Sequence, residues 1–122
     1  SNLLFPVKGG ALGRGFEAGS HRAIDLVAQA GAPVRAAADG VVLYSGLGII
    51  ENLHAVVLLH RDGWVTVYGA VREDGAAEAG TRVLRGEWIG RVAEREQGQS
   101  ELHFAWHAAG AASDPTQLLI GP

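Results

Sequence analysis

Seven short apolar runs, each closed off by turn residues, leave this chain room for strands and almost none for helices. The runs cover 24–28, 33–37, 41–45, 55–60, 64–70, 88–92 and 102–106, and all are rich in Val, Leu, Ile or aromatic residues. They recur at intervals of roughly 8 to 12 residues, which is the rhythm of an all-β chain folded as a small antiparallel sandwich or open barrel. The 18 glycines are dispersed through the 122 residues and read as turn punctuation, not as a linker. The clearest local prediction is a hairpin, with strands over 56–60 and 64–68 flanking Arg61-Asp62-Gly63. Asp-Gly supplies the positive φ angles that a tight turn needs. Ala76-Ala77-Glu78-Ala79 has helix propensity but lies between Gly75 and Gly80, too short to stand alone. One capped turn is expected over 114–119, where Asp114 precedes a proline whose missing N–H costs nothing.

A chain of this length fits one domain over 1–122, with roughly two thirds of the unfolded surface buried on folding. It contains no cysteine, so a disulfide framework, a thiolate cluster and a thiol nucleophile are all excluded, and a metal must be held by nitrogen and oxygen. A formal net charge of −3 with no Lys/Arg run excludes a nucleic-acid partner, which needs concentrated cations. No stretch approaches the ~20 apolar residues of a membrane span. The opening Ser1-Asn2-Leu3 lacks the basic and apolar regions of a signal peptide and reads as a trimmed start.

Chemistry concentrates in two segments, His21-Arg22-Ala23-Ile24-Asp25 and Glu101-Leu102-His103. Two imidazoles and a carboxylate give a divalent metal three protein ligands and leave a fourth tetrahedral position open, the arrangement of catalytic zinc. In an extended segment side chains alternate between faces. Leu102, Phe104 and Trp106 then point one way, and Glu101, His103, Ala105 and His107 the other. Asp25 stands between apolar Ile24 and Leu26, where a carboxylate must be paired, hydrogen-bonded or coordinated. The remaining residues get plainer readings: His54 and His60 are expected to be solvated beside the hairpin and His107 to be half-buried. Trp64, Trp88 and Trp106 are expected to fill core or edge positions.

The order of segments resembles the lysostaphin-like (LytM-type) zinc peptidases that cleave peptide cross-links of bacterial peptidoglycan. The matching text includes Phe5-Pro6-Val7, His21-x-x-Ile24-Asp25, Gly31-Ala32-Pro33-Val34, Asp39-Gly40-Val41-Val42, and His60-Arg61-Asp62-Gly63-Trp64. It continues through Thr66-Val67-Tyr68, Gly86-Glu87-Trp88-Ile89-Gly90, Leu102-His103-Phe104 and Asp114-Pro115, almost the whole length. The resemblance implies a duplicated-hybrid-motif β fold, with zinc ligands at His21, Asp25 and His103 and with Thr66 and Tyr68 lining the substrate groove. It also implies two non-ligand histidines that activate water and stabilise the oxyanion; those positions hold Ala70 and Glu101 here. Alternation is expected to aim Thr66, Tyr68 and Ala70 at one face, leaving a methyl group where an imidazole should stand. A general acid or base contributes ~10² to 10⁴ in rate, so losing both predicts a degenerate member that is not an efficient peptidase. The expected setting is the periplasm or cell surface, with peptidoglycan or a cell-wall amidase as partner. One alternative is an active zinc endopeptidase in which Glu101 serves as general base; another is a metal-free spacer in which Asp25 and His103 simply hydrogen-bond.

Overall fold

Twelve strands carry the fold: β1 (Leu3–Leu4), β2 (Ala11–Leu12), β3 (Ile24–Val27), β4 (Pro33–Arg35), β5 (Gly40–Ile50), β6 (Leu53–Leu59), β7 (Val65–Val71), β8 (Arg82–Val83), β9 (Trp88–Arg91), β10 (Glu101–Ala108), β11 (Ala111–Ser113) and β12 (Leu119–Ile120). The computed structural model describes residues 2–50 and 52–121; Ser1 lies outside them. The main sheet runs β2-β3-β10-β7-β6-β5-β8, with β11 also on β10, and two-stranded pairs β4–β9 and β1–β12 accompany it. Every pairing is antiparallel except β1–β12. The all-β expectation holds, and no helix among the described residues is long and apolar enough to cross a membrane.

Alternation builds the core on one face of the main sheet. Ile24, Leu26, Val42, Val56, Leu58, Tyr68, Leu102 and Phe104 point inward and pack with Val34, Ile89 and Val92 of the β4–β9 region. Fully burying a side chain of this kind contributes about 1.5–3 kcal/mol, so this face dominates stability. The opposite face carries smaller groups, with Ala23, Val57, Val67 and Ala105 as a separate cluster.

The predicted hairpin forms, with Asp62 at φ 63° and Gly63 at φ 78° turning β6 into β7. The capped turn also forms: Asp114 Oδ1 accepts from the Thr116 N–H at 2.9 Å and from its hydroxyl at 2.6 Å. Strand β5 runs past its expected end at Ser45 as far as Ile50, because Gly46 and Ile50 still find partners in Ala55 and Leu53. The two-residue strands were not predicted, since two residues carry no periodicity. Trp88 takes the edge role of its two alternatives: it opens β9 in the two-stranded β4–β9 pair and is 62 % exposed.

Candidate metal centre

Strands β3 and β10 are neighbours with Asp25 directly opposite His103, so the two side chains rise from one face of the sheet. His103 Nδ1 lies 3.0 Å from Asp25 Oδ1. His21 comes from the approach to β3, held by an isolated bridge to Glu17, and its Nε2 stands 3.3 Å from Asp25 Oδ2. One ligand atom from each residue falls within a 4.8 Å cluster, and the imidazole rings meet edge-on with centroids 5.5 Å apart. The three residues are therefore brought together as the sequence pattern required. His107 is not among them; it faces Val65 and Ala112 further along β10.

The donor set fits a divalent metal. His21 Nε2 is buried and, although 3.3 Å from Asp25 Oδ2, makes no aligned hydrogen bond, so its lone pair or proton is left for another partner. Burial lowers the pKa of His103, outweighing the Asp25 carboxylate that raises it. The neutral imidazole thus favoured is the form that ligates metals. Nitrogen, nitrogen and carboxylate oxygen is a zinc-competent set.

The surroundings differ from what alternation alone predicts. Thr66 and Tyr68, expected to line a groove, are both wholly buried on the core face, away from His103. The reason is register: Tyr68 pairs with inward-facing Phe104, while Gly69 pairs with His103. A substrate cannot reach either side chain without opening the core. Gly69 is the residue that flanks His103, in a cross-sheet row continuing to Ala55 and Gly46. A Cβ at Gly69 would lie 1.8 Å from Ile50 Cδ1, so the end of β5 lays its side chain over this row. Ala70 does not follow strand alternation. The β6–β7 register shifts there and Ala70 takes φ 68°, a left-handed conformation that an L residue rarely adopts outside a bulge. Glu101 keeps to the face of His103, but its Oε1 is bound by Arg95 Nη1 at 2.7 Å.

His60, expected to be solvated, is buried in the core instead. Its Nδ1 reaches Asp39 O at 2.7 Å, its Nε2 reaches Thr66 Oγ1 at 2.7 Å, and its ring stacks on Trp64. Burial lowers its pKa despite the Asp39 carbonyl and carboxylate. The signal was present in the sequence: Val56, Leu58 and His60 share parity. His54 bonds Ser45 Oγ at 2.9 Å.

Residues 19–115 match the model of Peptidase family M23, and the chain belongs to that family. It is 33% identical over 116 residues to a lipoprotein NlpD/LppB homolog of Pseudomonas aeruginosa, covering 94% of this chain and 39% of that protein. It is also 33% identical over 102 residues to the DD-carboxypeptidase/endopeptidase Mpg of Neisseria meningitidis, covering 82% of this chain and 23% of that protein. The chain thus spans well under half the length of these curated relatives. A zinc-containing peptidase from Vibrio cholerae superposes with a TM-score of 0.80 at 23% identity, covering 94% of this chain and 39% of that one, which establishes the shared fold.

Proposed function

We propose that this domain holds zinc through His21, Asp25 and His103 without being an efficient peptidase, and that it serves in the bacterial envelope by binding peptidoglycan or regulating cell-wall hydrolases. One observation carries the reading: the ligand set is complete, while the proton-handling groups beside it are missing. Ala70 offers a methyl group at one position, and Glu101 at the other is held by Arg95. Bound zinc would supply Lewis-acid polarisation of an oxygen ligand. The chain's own residues would orient that ion through the β3–β10 register and shield it with Ile50, but none is placed to carry a proton. The lipoprotein description of the Pseudomonas relative supports an envelope setting.

The test pairs zinc titration with assays on purified sacculi. Stoichiometric zinc, binding to sacculi or stimulation of a cell-wall amidase, and no release of soluble fragments is the expected result. Zinc-dependent release that Glu101→Gln abolishes would overturn the reading in favour of a working enzyme, and an absence of zinc binding would remove the metal.

A further inference from the structure

The outer surface of the β4–β9 pair holds a second constellation, formed by a local irregularity in β9. Arg35 pairs with Trp88 and Val34 with Gly90, so Ile89 is an extra residue. Alternation restarts across this bulge. Trp88 and Arg91, three residues apart, are both exposed, while Ile89 and Gly90 between them are both buried. Strict alternation would have placed the two exposed side chains on opposite faces.

The Arg91 guanidinium lies 5.2 Å from the Trp88 ring centroid, and its Nη1 donates to Gly31 O at 2.9 Å. That bond fixes the arginine and leaves its other donors available. Arg72, just past β7, brings a second guanidinium to the same side of Gly31, where an added Cβ would stand 3.1 Å from its Nη2. Its ion pair to Glu94 is long at 3.4 Å. Asp74 is exposed and has no hydrogen bond or ion pair among the described residues. Together with Gly75 and Gly90 these side chains line a depression of about 220 Å³. The depression is open to solvent and of a size to seat one ring of a larger molecule.

The chemistry of the rim selects the ligand. Two guanidiniums alone would suit an anion, but the free Asp74 carboxylate in the same rim repels one. A neutral ring bearing hydroxyls satisfies both signs, and its C–H face matches the part of the indole that the Arg91 guanidinium leaves uncovered, Trp88 being 62 % exposed. We propose that this depression is a sugar-ring subsite: a neutral pyranose stacks on Trp88, accepts hydrogen bonds from Arg72 and Arg91, and donates a hydroxyl proton to Asp74. None of its lining residues belongs to the His21, Asp25 and His103 cluster.

Titrating ¹⁵N-labelled protein with N,N′,N″-triacetylchitotriose, and separately with acetate, tests it. The expected result is saturable shifts of the Trp88 indole and the 72–75 amides at millimolar sugar. Trp88→Ala and Asp74→Ala should each weaken binding at least about tenfold, and Asp25→Ala should leave it unchanged. Both substituted side chains are exposed, and thermal melts check that the variants fold; should Trp88→Ala fail to fold, Asp74→Ala and the wild-type shift map decide. No saturable shift, equal affinity in the variants, response to acetate alone, or shifts confined to 101–103 would each overturn the proposal.

Discussion

Two histidine clusters sit on opposite faces of the same sheet, and they differ in whether their polar atoms are satisfied from within. On the core face, His60 Nδ1 meets only a carbonyl, so it carries the proton and donates to Asp39 O at 2.7 Å. Its bare Nε2 then takes the Thr66 hydroxyl proton at 2.7 Å. The Thr66 and Tyr68 hydroxyls lie 2.8 Å apart, and the Ala37 N–H closes the chain by donating to the Tyr68 oxygen at 2.9 Å. Burial pushes the Tyr68 pKa far above its ordinary value, so it keeps its proton. Nothing in this network asks for a ligand. Across the sheet, the cluster of His21, Asp25 and His103 leaves His21 Nε2 buried without a hydrogen bond, 3.3 Å from Asp25 Oδ2. The first network is saturated from within; the second, made of atoms that can ligate a metal, is not.

The sharpest way to break this contrast is Asp25→Ala. It should lower zinc affinity at least about a thousandfold, about 4 kcal/mol, by isothermal titration. The metal-free unfolding free energy should fall by no more than about 1–2 kcal/mol, because the part-buried hydrogen bond to His103 is lost but no core packing. A large loss of metal-free stability would make the metal face structural after all. Thr66→Val should show the reverse. Stranding His60 Nε2 and the Tyr68 hydroxyl is expected to cost about 2–3 kcal/mol in urea unfolding and leave zinc affinity intact.

Acid sharpens the comparison next. Burial holds the folded pKa of His60 below the ordinary value of 6.5. In the interval between the two values the unfolded chain binds the extra proton. Stability is therefore full above about pH 6.5 and falls as pH drops through the folded value. Metal-free protein should lose urea resistance as pH falls from 7 toward about 5, and His60→Gln should flatten that slope. A profile unchanged by the substitution would assign the slope elsewhere. The smallest effect is expected from Arg95→Ala, which releases Glu101 from a partly exposed pair and should change stability by less than about 1 kcal/mol. Sacculus hydrolysis should stay absent in that variant; its appearance would make Arg95 a brake on a competent base.

The grouping of His21, Asp25 and His103 was legible in the sequence because His21 and Asp25 stand four residues apart at the entry to β3 and His103 alternates with the apolar residues of β10. The hairpin was equally readable, since Asp62-Gly63 encodes its own turn. What escaped was set by pairing between distant strands. Thr66 and Tyr68 share parity as expected, but which face they take is fixed by the partner of Tyr68 being Phe104, which no local pattern announces. Ala70 in a left-handed bulge is invisible for the same reason, since alanine gives no hint of positive φ. His60 stands beside the turn yet follows the parity of Val56 and Leu58 into the core, so nearness to a turn does not by itself imply solvation.

If the proposed reading holds, the seat of Ile50 over Gly69 bears on any attempt to install peptidase activity in this domain. Grafting histidines at 70 and 101 would restore the missing imidazoles beneath a branched hydrocarbon roof, with the row beside His103 still sealed against a peptide. The end of β5 would need shortening as well, so such an activity would take coordinated changes in separate stretches of chain.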